Sequence, residues 1–181
     1  MSATVTNATQ KSARPAATEH IAYFGKYISL VPDGPILETL RAQAGETAAL
    51  LAGVSAEREE HRYAEGKWSV KEVVGHLADA ERVFAYRALR FSRGDETPLA
   101  GFDENTYVPA GAFGSRTLRS IAEEYRAVRE ATIRLLEGLE DRAMSRQGVA
   151  ASNPVTVRAL FWIAAGHERH HVAILRERYG L

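Results

Sequence analysis

Apolar residues recur at helical spacing in four separate stretches of the chain, and polar or irregular segments divide them. After the break "PDGP" at 32–35, Ile36, Leu37, Leu40, Ala44, Thr47, Leu50 and Leu51 fall three and four apart through about Gly53, marking one face of a helix. Pro35 suits its first turn, because proline lacks only an N–H that a helix start leaves free anyway. The second stretch opens with Ser69-Val70-Lys71-Glu72, a capping box. Its serine hydroxyl can accept from a first-turn amide while the glutamate reaches back to the serine N–H. Val70, Val73, Val74, Leu77, Ala80, Phe84, Ala88 and Phe91 then form an apolar arc over 70–92. Thr117 caps a third helix ending near Gly138, with Leu118, Ile121, Tyr125, Val128, Thr132, Leu135 and Leu136 on its buried side. A last helix begins at Asn153-Pro154 or at Thr156 and stops at Gly180.

No convincing strand run appears, so the pattern predicts an all-α protein, a four-helix up-down bundle. The connections at 92–116 and 139–153 are long, and connectivity is therefore not idealised. The first twenty residues, rich in Ser, Thr and Ala, read as a flexible arm, 1–20, ahead of a single domain over 21–181. Tyr23, Phe24 and Tyr27 suit a core edge or a subunit interface.

Composition narrows the choice. Twenty-three basic residues balance 23 acidic ones, leaving no basic surplus for phosphate contacts, so nucleic acid is not expected as a partner. Arg126, Arg129 and Arg134 alternate with glutamates and read as a solvated helix face. With no cysteine, neither a disulfide framework nor a thiol nucleophile of the chain's own is available. No run reaches the roughly 20 apolar residues of a membrane span, and a cytoplasmic protein is expected.

Chemistry concentrates in "AAGHERHHVAILRERYG", residues 164–180. On a helical wheel His167 and His171 fall inside the apolar arc one turn apart, while His170 lands at its edge. Two readings stand: core histidines bonded to backbone or carboxylates, or two imidazoles converging on one ion. Of the other histidines, His20 and His61 occupy polar segments and read as surface residues. His76 lies mid-helix at the edge of the apolar arc in "VVGHLADAERVF". Three imidazoles from two helices leave an open position on an ion, as catalytic zinc sites do.

These segments also carry a resemblance. "WSVKEVVGHLADAE", a long Gly/Asp/aromatic connection, and "HERHHVAILRERYG" resemble the DinB-like metalloenzyme superfamily, which includes YfiT-type proteins and thiol-dependent transferases and isomerases. The resemblance spans roughly residues 35–180. It implies a four-helix bundle whose His76, His167 and His171 bind a divalent metal, zinc or nickel. It further implies an enzyme, a hydrolase activating water or a transferase activating a low-molecular-weight thiol such as bacillithiol or mycothiol, acting on a small molecule, and a homodimer. A non-catalytic metal-binding stress-response or interaction module is the alternative, as is a bundle without metal.

Other residues bear on the site. Glu168 falls inside the apolar arc and needs a partner. It can support a ligand imidazole, act as general base, or pair with an arginine such as Arg82 or Arg87. Asp79 can orient the free ring nitrogen of His76 or remain a surface carboxylate. In "GFDENTYV", 101–108, Phe102 and Tyr107 can wall a pocket while Asp103 or Glu104 adds a ligand or base; a turn-rich loop is the plainer reading. Trp68 reads as a helix-end anchor, and Trp162, off the main arc, suggests a second buried surface such as a dimer interface.

Overall fold

The computed structural model describes Lys11 and residues 13–181; the first ten positions and Ser12 of the expected arm lie outside the described residues. In chain order the elements are α1 (Ala22–Ile28), α2 (Ile36–Ala52), α3 (Val70–Ser92), α4 (Glu104–Ala110), α5 (Leu118–Gly138), β1 (Gln147–Ala150), β2 (Asn153–Thr156) and α6 (Val157–Glu177). The four long helices form the expected four-helix bundle, with consecutive α3 and α5 parallel where strict up-down alternation would oppose them.

Their starts follow from local chemistry. Pro35 is the N-cap of α2. At α3 the Ser69 Oγ accepts from the Glu72 N–H (3.3 Å) and the Glu72 carboxylate accepts from the Ser69 N–H (2.6 Å), completing the capping box. Thr117 and Thr156 accept from the amides of Ser120 and Ala159, each at the third position of its helix.

Two apolar clusters fill the bundle. One gathers Leu51 at the end of α2, Val70 to Ala78 of α3, Leu118 to Tyr125 of α5 and Leu175 of α6. The other gathers Ile36 and Leu40, Phe84 to Phe91, Ile133 to Leu136 and Val157 to Ala165. Helices α2 and α6 therefore run one way and α3 and α5 the other. α3 packs on both α5 and α6, and α2 closes the ring against the same two. The long α3–α5 connection has the length to return the chain for this parallel pairing.

Between the clusters lies a polar layer that corrects one expectation. Arg129 is not on a solvated face; it is fully buried. Its guanidinium donates to both carboxylate oxygens of Glu81 (2.7 and 2.6 Å), to Glu168 (2.6 Å) and to the Tyr125 hydroxyl (2.9 Å). Position 129 continues the stripe 118, 121, 125, 132, 136, so spacing alone marks it as inward-facing.

The 139–153 linker and the start expected at Asn153-Pro154 are also corrected, since residues 147–156 form an antiparallel hairpin with Val149 opposite Pro154. Its two-residue tip, Ala151 and Ser152, is left-handed at both positions (φ 50° and 63°), which matches the twist of a tight hairpin without the usual Asn-Gly signal. Leu99 joins the hairpin edge, donating to the Val149 carbonyl and accepting from the Ala151 N–H, both at 2.9 Å. This bond pins the 92–116 connection, which the sequence left as a loop and which contains α4.

The last part of the expected flexible arm is docked. Arg14 donates to the carbonyls of Ile28 (2.7 Å) and Val31 (2.6 Å) and lies over the Trp162 ring at 4.6 Å. Glu19 accepts from the Thr156 hydroxyl (2.8 Å) and from Arg158 (2.7 Å). Trp162, fully buried, is thus covered by its own chain and not by a second subunit. α1 lies on α6 so closely that a Cβ at Gly166 would stand 2.0 Å from the Tyr27 carbonyl oxygen; only glycine permits the contact.

Candidate metal centre

Helices α3 and α6 bring three imidazoles together at mid-bundle. His76 and His167 are buried and His171 is partly so. One ring nitrogen from each lies within 4.8 Å of the others, and the Nε2 atoms of His76 and His167 are 3.0 Å apart. Two nitrogens on one tetrahedral ion stand about 3.3 Å apart, so the spacing fits a shared cation with little movement. His170 turns aside, its ring 5.4 Å from that of Tyr27.

Electrostatics keep the trio neutral. Burial pushes His76 down to about 4, partly opposed by Glu104. His171 falls to about 3, through burial first and then the nearby His76, His170 and Lys26. His167 lies well below the ordinary imidazole range for the same reasons. Near neutral pH each ring therefore has a lone pair free, the form that ligates metal. No carboxylate among the described residues bonds any of the three rings. The donor set is three neutral nitrogens, and these residues fit a divalent metal ion.

The trio opens into a cavity of about 410 Å³. α1 supplies Tyr23, Phe24, Lys26 and Tyr27; α3 supplies Ala80, Phe84 and Arg87; the connection and hairpin tip supply Phe102, Glu104 and Ala151. The Trp68 ring lies tilted against that of His76, with centroids 4.9 Å apart. The Trp68 carbonyl also accepts from the Tyr179 hydroxyl (2.6 Å), and the residue anchors the start of α3 as expected.

The supporting carboxylates fall differently from the sequence reading. Glu168 is fully buried and points away from the histidines, accepting from the Thr47 hydroxyl and from Arg129, both at 2.6 Å. Its partner is neither Arg82, which pairs with Glu124 and Asp79, nor Arg87, which donates to the Ala100 carbonyl. Asp79 faces Arg82 at 3.5 Å and makes no bond to His76. Asp103 caps α4 through the Asn105 N–H (2.9 Å). Glu104 is the only acidic residue in the cavity wall among the described residues. Tyr107 is outside the wall, tilted against Phe102. Arg87, Lys26 and His170 also line the cavity, a place not expected for them from the sequence. For Arg87 a signal existed, because positions 76, 80, 84 and 87 share one helix face.

A four-helix bundle with three histidines from two facing helices at a cavity wall defines a class of metal-site scaffold. The DinB superfamily matches residues 39–175, and the chain belongs to it. A candidate metal-dependent hydrolase of Oceanobacillus iheyensis is 26% identical over 153 residues, spanning 77% of this chain and 79% of that protein. YfiT from Bacillus subtilis, described as a candidate metal-dependent hydrolase with an unusual four-helix bundle topology, superposes with a TM-score of 0.67. It is 20% identical, over 93% of this chain and 94% of its own. A mycothiol-dependent maleylpyruvate isomerase gives 0.64 at 15% identity, over 76% of this chain and 58% of its own.

Proposed function

We propose that the protein is a divalent-metal-dependent hydrolase in which His76, His167 and His171 hold the ion. The observation that carries this reading is the convergence of three neutral imidazole nitrogens within 4.8 Å on an open cavity. When bound, a zinc or nickel ion held by three neutral nitrogens supplies Lewis acidity that makes water, or a thiol, nucleophilic near neutral pH.

The chain's own residues do the rest. Glu104, the one acidic residue of the cavity wall among the described residues, is in this reading the group that accepts a proton from the incoming nucleophile, in place of Glu168 and Asp79. Trp68, Phe84 and Tyr27 surround the imidazoles with rings, holding their orientation and limiting water. The docked 13–20 segment and the close contact at Gly166 keep α1 in place as a wall.

A second reading, transfer to or from a low-molecular-weight thiol, draws support from the fold shared with a mycothiol-dependent isomerase. The chain lacks cysteine, so the thiol has to come from a cosubstrate, and a reducing cytoplasm would supply it. No helix among the described residues is long and apolar enough to cross a membrane. The homodimer implied by the family resemblance belongs with this reading and is checked by sedimentation.

Elemental analysis of untagged protein, beside His76→Ala and His171→Ala, tests the proposal. About one equivalent of zinc or nickel, lost in both variants, is expected. Wild-type protein that takes up neither metal after supplementation, with variants altered only in stability, would falsify the enzyme reading. In metal-loaded protein Glu104→Gln should lower turnover at unchanged metal content, with hydrolase and thiol-transfer assays separating the two reactions.

A further inference from the structure

One cation in the cavity wall, Arg87, pairs with no carboxylate among the described residues. Arg87 lies eleven residues beyond His76 on the same face of α3, about three turns or roughly 16 Å along the axis. It is 6% exposed, and its Nη2 donates to the Ala100 carbonyl at 3.0 Å. No carboxylate among the described residues comes within ion-pair reach of it. Burial lowers its basicity and no negative neighbour offsets the effect. A guanidinium removed from water with one neutral partner is costly, and its cost is recovered when an anion arrives.

The rest of the wall has the same sign. Lys26 sits over the rings of Tyr23 and Tyr27, 3.9 and 4.7 Å from their centroids. Against these two cations stands Glu104 alone, whose field acts on His76 and Tyr27. The cavity is therefore positive before any metal enters.

We propose that Arg87 recognises a carboxylate at the far end of an elongated small-molecule substrate whose other end reaches the three histidines. The planar fork of a guanidinium matches a carboxylate through paired N–H donors. A phosphate would call for several convergent donors, and the one other Lys or Arg in the cavity wall among the described residues, Lys26, sits over the rings of Tyr23 and Tyr27. Three helical turns separate the anchor from the histidines, so the substrate is rod-like and the carboxylate is remote from the reacting atoms. Arg87 is then a positioning residue that sets specificity. The position of the reacting end rests on the metal-enzyme reading above; carboxylate binding at Arg87 does not.

The test is calorimetric titration of zinc-loaded protein with ω-mercapto-octanoate and, as the neutral control, ω-mercapto-octanol. The acid is expected to bind about tenfold tighter or more. Arg87→Gln should abolish the preference while leaving metal content and alcohol affinity unchanged. Arg87→Lys, which keeps the charge but loses the fork, should retain only part of it and serves if the glutamine variant does not fold. Lys26→Gln should preserve most of it. Octanoate and octanol on metal-stripped protein repeat the comparison without the ion, so a failed metal site and a failed Arg87 site give different results. Equal affinity for acid and alcohol in wild type, or a preference surviving Arg87→Gln, overturns the proposal.

Discussion

Replacing Arg129 by methionine tests the polar layer at the bundle centre. The guanidinium is fully buried between Glu81 and Glu168 and donates three hydrogen bonds to their carboxylates. One cation faces two anions, so the layer already carries one net negative charge. Arg129→Met leaves two buried carboxylates without a cation. Breaking a buried pair in this way costs about 3–5 kcal/mol, and with two orphans the upper part of that range is expected. Glu168→Gln instead leaves a neutral Arg129–Glu81 pair, and its amide can still meet Thr47 and Arg129. About 1–2 kcal/mol should then be lost, with metal content unchanged. Urea titration followed by tryptophan fluorescence measures both losses. Equal losses in the two variants would refute the assignment of Glu168 as structural.

Metal-stripped wild type should lose stability in mild acid. His76 is lowered in the fold to about 4 from an ordinary 6.5, and burial is the cause. The unfolded chain therefore takes up a proton first, and the stability present above pH 6.5 is lost as pH falls towards 4. His76 alone contributes roughly 3 kcal/mol to this loss. His171, lowered to about 3, adds to the same slope. Denaturation between pH 6.5 and 4.5, above the range where carboxylates dominate, should show a shallower slope in His76→Gln, and an unchanged slope counts against burial as the cause. Gly166→Ala places a Cβ 2.0 Å from the Tyr27 carbonyl oxygen, backbone that has no rotamer to yield. Overpacking of this kind costs about 1–3 kcal/mol and should lift α1 off the cavity, seen as faster amide exchange across 22–28. Exchange equal to wild type would show that α1 does not depend on that contact.

The histidine pair illustrates what periodicity can reach. Spacing puts His167 and His171 on one face and His170 at its edge, because 3.6 residues per turn determine direction along a helix regardless of what surrounds it. Glu168 was seen to face inward for the same reason. Its partner could not be read, since the nearest arginines in sequence, Arg82 and Arg87, are not nearest in space. The charge of Arg129 suggests a solvated face, although its position lies in an apolar stripe. Only the presence of both Glu81 and Glu168 at one level of the bundle makes its burial stable.

By itself, then, the sequence determined the long helices, their caps, the inward faces and the residue types that can ligate a metal. All of these depend on interactions within a few residues. The tertiary structure decided the rest: the order of helices around the core, the hairpin at 147–156, the docking of residues 13–20, and the cavity. The hairpin has a left-handed tip built from Ala and Ser, which local propensity disfavours, and it persists because Leu99 bonds its edge and Gly148 lets it lie against Phe91. The cavity wall comes from α1, α3, α6, the α3–α5 connection and the hairpin tip, segments far apart along the chain. Their approach is set by packing shape and buried charge summed over the whole bundle, quantities that no window of sequence contains.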